Sequence, residues 1–522
     1  MPFFDFHLHP TLKSMFSEAP QKLSPWVKVD IRKIPSLLRW CSEFQYILQS
    51  QSNLSQLIYN ECNIVCMALY APEKAMLEND LILGQADGSL SSYLNKARLK
   101  KIINSQLQPY RDVVADDLNT LTNEALFGVT DREVVFLDDP TKYDPTAANK
   151  LFVVFSVEGC HTFSSALRKF DVNEIIKNLD DLRSKVPLIS VNLTHIEQSK
   201  LCNHAFGMLF INDDVFRPTG KLISAEGFQI VKHCYQNNIL IDVKHMSLGA
   251  RDQLYRVRRS AEFANINQPV VCTHAGFTGI STVEIPDYIL DYRQFKKGYV
   301  LLKNGKPAKY GHSIRPSFNA SSINLYDEDI IEILRSGGII GLSLDKRILG
   351  FQESHGNANS NPQFPFEPEY ISLQEQAYFF SKEEVGHAFN DGKCIEWTEI
   401  ESAGAVNPLA ADYHLRHFMA HIIHLIEVAR RNQYDVNKAL TQICIGSDFD
   451  GIINPVWCCD TVDELTYFKD LFERQFPDFA RECVNANGVS LPAGFDLKKF
   501  SNQLFFENGK NFVLGRVAKL NP

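Results

Sequence analysis

The side chains equipped for chemistry in this 522-residue sequence are mostly histidines that end short apolar runs: His7 and His9, His195, His245 and His274, joined by Glu158, Asp448 and Asp450. His7 and His9 are separated by one residue. Side chains alternate along a strand with period two, so both imidazoles face the same way and can chelate one ion. Neutral imidazole and carboxylate suit zinc, and a catalytic zinc keeps one position open for water. Any one buried histidine is more often a core residue bonded to backbone. Five histidines and a glutamate at predicted strand ends, with few charges inside the same strands, point instead to a metal site.

Asp448 lies in Gly446-Ser447-Asp448-Phe449-Asp450-Gly451, a sharp turn after a buried strand. The continuation Ile452-Ile453-Asn454-Pro455 lacks the ligand positions and closing glutamate of an EF-hand, so a catalytic or substrate-binding carboxylate at the barrel mouth is the better reading. His414, His417, His421 and His424 form a separate stripe on one helix. Leu415, Phe418, Ile422 and Leu425 repeat at the same spacing beside them, so these histidines are read as flanking a buried face and are left out of the site.

Strands are needed to hold such groups together. Apolar and β-branched runs bounded by turns give Phe3 to Leu8, Cys62 to Leu69, Phe152 to Val157, Leu188 to Leu193, Ile239 to Val243, Val270 to Thr273, Gly338 to Leu344 and Ile443 to Gly446. Helical patterns at Ser224 to Asn237, Tyr326 to Arg335 and Asp412 to Arg431 fall between them. Eight strands alternating with helices predict an α/β fold, a TIM-type (β/α)8 barrel, in which catalytic groups come from the C-terminal strand ends. Thr461 to Phe476 reads as a helix with capping-box spacing at Thr461 and Glu464 and a stop at Pro477, and helix-like residues around Phe505 to Val517 close the chain. One domain over residues 1–522 is expected, with long insertions at about 70–150, 275–325 and 345–411 serving as lids or interfaces.

Composition limits the function. Hydrophobic residues at 45% and charged residues at 22% suit a chain that buries a large core. A net charge of -9 with only short basic patches argues against nucleic acid and for a small-molecule substrate. The start, Met1-Pro2-Phe3-Phe4-Asp5-Phe6, reads as a strand and not a signal peptide, and no apolar run suggests a membrane span. Twelve cysteines without paired-ligand spacing, several inside strands, read as reduced core thiols of a cytoplasmic protein.

Taken in order, Asp5-Phe6-His7-Leu8-His9, Val157-Glu158-Gly159, Leu193-Thr194-His195, Asp242-Val243-Lys244-His245-Met246-Ser247, Thr273-His274-Ala275 and Ile445-Gly446-Ser447-Asp448-Phe449-Asp450-Gly451 resemble the membrane dipeptidase (renal dipeptidase) family of amidohydrolase-like metallohydrolases. The motifs spread over nearly the whole chain. The resemblance implies a binuclear zinc centre with His7, His9 and Glu158 on one ion, Glu158 bridging, and His245 and His274 on the other. It also implies that Asp448 handles protons, that His195 contacts the substrate or its oxyanion, and that the reaction is hydrolysis of a dipeptide or related amide.

Two departures stand out. The family's first strand carries His-x-Asp, whereas this chain has His-x-His, which makes the site about one unit more positive and predicts a preference for a carboxylate-bearing substrate. Its Arg-Asn-Leu segment appears here as Ile323-Asn324-Leu325, leaving Arg315 as the substitute, and strand seven ends in Leu344-Asp345-Lys346-Arg347 without the usual tyrosine. His195, Arg315 and Asp345 are therefore the expected substrate-binding residues, with a homodimer as the assembly considered. The competing readings are a metal-dependent phosphoesterase of the polymerase-and-histidinol-phosphatase type, which also opens on His-x-His, and a binding protein with a degenerate barrel site.

Overall fold

The structure, a computed structural model, describes residues 2–18, 22–29, 49–88, 90–91, 93–122, 128–208, 211–311, 315–351, 366–381 and 407–520. Parts of the expected insertion at 345–411 lie outside the described residues.

Eight parallel strands form the barrel: β1 (Phe4–Leu8), β2 (Ile64–Leu69), β3 (Lys150–Val157), β4 (Leu188–Asn192), β5 (Leu240–Asp242), β6 (Val270–Ala275), β7 (Ile340–Leu342) and β8 (Ile443–Ile445). They are neighbours in chain order. β1 and β8 meet just beyond their ends through a parallel bridge between Leu8 and Phe449, where Asp448 N donates to the His7 carbonyl at 2.9 Å and His9 N to the Phe449 carbonyl at 2.8 Å. This closure brings the first and last polar strand ends side by side.

Helices follow the strands in the expected places. Ala225–Gln236 starts at Ser224, whose side chain accepts from Gly227 N, and Asp327–Ser336 ends on Gly337, left-handed at φ 77. The C-terminal segment packs beneath the barrel, where Phe506, Val513 and Val517 join Phe4, Phe6, Ile64, Cys66, Phe152 and Val154 in one apolar cluster. The ten described cysteines are buried.

Three features differ from the sequence reading. Pro477 does not stop its helix: Leu465–Asn487 runs through it, because the buried stripe Phe468, Phe472, Phe476, Phe479 and Cys483 continues past the proline. Packing that stripe offsets an interior proline's cost of about 3 kcal/mol. Glu133–Phe136 adds a parallel edge strand to β3. Finally, Ile289–Gln294, Tyr299–Gly305 and Phe366–Ser372 form an antiparallel three-stranded sheet, so segments from two separate insertions pair into one unit above the barrel. The same unit is tied down by Glu369, buried, which accepts from Ser322 N at 2.9 Å and Asn304 Nδ2 at 2.6 Å.

Candidate metal centre

The expected ligands converge at the C-terminal mouth. His7 and His9 approach at 3.0 Å between Nε2 atoms, as the period-two argument requires. Glu158, at the end of β3, stands between two pairs of imidazoles. Its Oε1 is 3.0 Å from His245 Nε2, 3.4 Å from His274 Nε2 and 3.6 Å from His7 Nε2, while its Oε2 is 3.3 Å from His9 Nε2. Asp448 Oδ1 lies 3.5 Å from His9 Nε2 and 3.9 Å from His7 Nε2. Three donor sets each fall within 4.8 Å: His7, Glu158 and His274; His7, His9 and Asp448; Glu158, His195 and His245.

Tautomers favour coordination. Thr273 Oγ1 donates to Asp242 Oδ2 at 2.5 Å, so its oxygen accepts from His7 Nδ1 at 3.0 Å and His274 Nδ1 at 3.1 Å. With Nδ1 protonated in both rings, each Nε2 presents a lone pair towards Glu158, the outer-shell arrangement that fixes metal-binding imidazoles. Lone pairs and a carboxylate pointed at one another in a buried space repel unless a cation lies among them. The donor set therefore fits divalent metal.

The charges agree. Burial drives His7 and His274 well below the ordinary imidazole range and takes His245 to about 3, leaving neutral ligands. Burial also pushes Glu158 up, but His195, His7 and the other imidazoles outweigh it and hold the carboxylate well below its usual range. His9 runs the other way. Burial lowers it, yet hydrogen bonds and charge from Asp448 and Glu158 raise it to about 10, so a proton there competes with a cation for the same two carboxylates. Asp448 is raised to about 6 by burial, against the hydrogen bond and charge of His9, a range suited to taking and returning a proton near neutrality.

His245, Asp448 and Asp450 have φ of 67, 65 and 65, the left-handed region that non-glycine residues seldom adopt. Strain of this kind gathers at functional sites. Asp450 spends both carboxylate oxygens on Gln51 N at 3.0 Å and Ser52 N at 2.8 Å and pairs with Lys13, so it anchors the turn that presents Asp448.

The remaining expected residues separate. His195 joins the centre, with Nε2 3.6 Å from Glu158 Oε1 and Nδ1 2.5 Å from Glu73 Oε1. Asp345 is buried on the cavity wall, where it accepts from Arg347 Nε at 3.1 Å and Arg347 N at 2.8 Å; it orients that guanidinium. Arg315 is exposed and is not among the residues that line the cavity, which is a correction to its expected role. The four-histidine stripe is itself buried. His414 Nδ1 accepts from Trp457 N, His417 and His421 donate to the carbonyls one turn back, and His424 bonds Tyr310 and Asp327.

Sequence reasoning missed Glu73, Tyr70, Thr273, Asp242 and Lys244. Glu73 is buried, bonds Tyr70 and His195, and comes from the first insertion, where no pattern marks it. Asp242 and Lys244 did carry a signal, since two charges spaced by two at the end of a buried strand face the same way.

No family model and no curated protein matches the chain. Among solved structures, a metallo peptidase from Rhodobacter sphaeroides, liganded with a phosphinate mimic of the dipeptide L-Ala-D-Ala, is 14% identical and superposes with a TM-score of 0.50 over 99% of both chains. The probable dipeptidase PvdM from Pseudomonas aeruginosa is 14% identical at a TM-score of 0.49, over 100% of this chain and 96% of its own. Dipeptidase AC, a metallo peptidase of family M19, is 13% identical at 0.49 over 99% of each chain. At this identity the first likeness establishes a shared barrel fold.

Proposed function

We propose that the chain is a metal-dependent hydrolase, a divergent member of the membrane dipeptidase family, that cleaves the amide bond of a dipeptide or related carboxylate-bearing amide with two zinc ions. The observation that carries this reading is Glu158, a single buried carboxylate approached by the Nε2 atoms of His7, His9, His245 and His274 at 3.0 to 3.6 Å. The dipeptide-mimic complex of the Rhodobacter sphaeroides peptidase agrees with it. His7, His9 and Glu158 would hold one ion and Glu158, His245 and His274 the other. When bound, the pair supplies an acidified water and polarises the substrate carbonyl.

The chain's own residues do the rest. Asp448 accepts the proton of the attacking water and returns it to the departing nitrogen. His195, held through Nδ1 by Glu73, presents Nε2 to the oxygen on which negative charge develops. Glu73 acts through His195 and is a positioning residue.

The reading is tested by measuring bound zinc in purified protein and screening dipeptides and N-acyl amino acids. His245→Ala should lose metal, and Asp448→Asn should keep it while turnover falls roughly 10²- to 10⁴-fold. Metal-free protein, or equal turnover in both variants and the parent, would sink the proposal.

A further inference from the structure

The metal centre opens into a cavity of about 450 Å³, within the range of sites for ligands far larger than two alanines. Its far wall is apolar: Phe16, Met76, Leu94, Phe206, Ile323 and Ile452, drawn from loops after several different strands, line it together with the centre.

Three cations line the same cavity: Lys13, Lys244 and Arg347. Lys13 pairs with Asp450 and Arg347 with Asp345. Lys244 is different. It is 2% exposed, its Nζ donates to the Ile323 carbonyl at 3.3 Å, and among the described residues it has no carboxylate within ion-pair distance. A buried ammonium is costly unless an anion and hydrogen bonds compensate it. Two of its three N–H donors remain to be satisfied beside the metal ligands His245 and His274.

We infer that the substrate is an N-acyl amino acid whose carboxylate is bound by Lys244 and whose long apolar acyl chain fills the cavity among Phe16, Met76, Leu94, Phe206, Ile323 and Ile452. The inference rests on the hydrolase reading for its chemistry. Water adds its oxygen to the acyl carbon, the C–N bond breaks, and a proton passes to the nitrogen, giving a fatty carboxylate and a free amino acid. The anchoring cation is thus supplied just past the end of β5 and not by the exposed Arg315.

Calorimetric binding in the zinc-loaded Asp448→Asn variant tests the inference apart from turnover, using N-octanoyl-alanine, N-acetyl-alanine and N-octanoyl-alaninamide. Each fully buried methylene strengthens binding about fourfold, so octanoyl-alanine should bind at least about 50-fold more tightly than acetyl-alanine even with partial burial. The free acid should exceed its amide at least about tenfold, in keeping with a charge-assisted hydrogen bond. Adding Lys244→Met should bring that acid-to-amide ratio to about one with zinc content unchanged. Equal binding of the octanoyl and acetyl compounds, or an acid-to-amide ratio of one before Lys244 is changed, overturns the inference. That second comparison decides even if the lysine variant does not fold. Turnover of short dipeptides without an octanoyl preference would sink this inference and leave the hydrolase reading standing. The expected binding pattern with no turnover by the parent protein would sink the hydrolase reading and leave only the ligand's seat at Lys244 and the apolar wall.

Discussion

Gly446→Ala should disable the centre without touching a ligand. A Cβ at Gly446 would sit 1.9 Å from the Thr273 carbonyl oxygen and 3.1 Å from Gly341 Cα, so the ends of β6 and β8, which flank β7, would have to move apart by at least about 1 Å. Neither obstacle is a side chain that can swing away. Overpacking costs about 1–3 kcal/mol, and backbone obstruction places this substitution near about 3 kcal/mol. The displaced residue also carries the hydroxyl that fixes His7 and His274, so metal affinity should fall about 10- to 100-fold, as for loss of an outer-shell contact. Urea unfolding followed by fluorescence would measure the first effect, and zinc competition against a calibrated chelator the second. Gly515→Ala is the control. It lies in the helix Asn508–Leu520 with nothing within 4 Å of its would-be Cβ, and should stabilise by about 0.5–1 kcal/mol. A Gly446→Ala protein with the parent's unfolding midpoint and zinc affinity would refute the reasoning.

Four further outcomes follow from the same geometry. Thr273→Val removes the shared acceptor of His7 and His274 and should weaken zinc binding about 10- to 100-fold, read by chelator competition, while circular dichroism stays unchanged. Glu73→Gln replaces a buried charge-assisted bond worth about 1.5–3 kcal/mol, so kcat should drop about 10- to 100-fold with zinc content intact; an unchanged kcat would remove Glu73 from the positioning of His195. Burial raises Asp117 to about 7, and one of its oxygens has no partner. Because its folded value lies above the unfolded one, its contribution to stability is present below about pH 4 and is lost as pH rises through about 7, by up to about 1.4 kcal/mol per pH unit. Comparing Asp117→Asn with the parent by urea midpoints across that window should show the loss only in the parent. Last, zinc at about 1,000 times its Kd should raise stability by about 4 kcal/mol, a gain that chelation reverses and that a melting series would register.

The barrel was legible because each of its strands is a short, nearly unbroken apolar run, and parallel strands buried on both faces read that way. The centre was legible for the same reason: His7, Glu158 and Asp448 interrupt or end runs in which little besides Asp5 and Ser156 is polar. What stayed hidden depends on contacts between distant segments. Phe366–Ser372 pairs with Tyr299–Gly305 across a long separation, on the edge opposite the nearby Ile289–Gln294, and neither partner alternates cleanly enough to announce a strand. Glu73 gains its role only when the loop after β2 folds over His195. Arg315 looked suitable by charge, but charge does not reveal which way a loop faces. Pro477 was read by local rule, while a buried stripe on both sides of it decided the helix.

The histidine stripe on Asn407–Arg431 makes this fold sensitive to acid. Burial holds His417 and His421 to about 3 and His414 well below its ordinary value, so none takes up a proton while folded. Unfolded, all three would do so below about pH 6.5. Each unit of acidification then removes about 1.4 kcal/mol per residue, roughly 4 kcal/mol for the three, against a total stability of about 5–15 kcal/mol for typical proteins. Near pH 5 the helix that backs the barrel should come away, and the metal ligands would disperse in the same event.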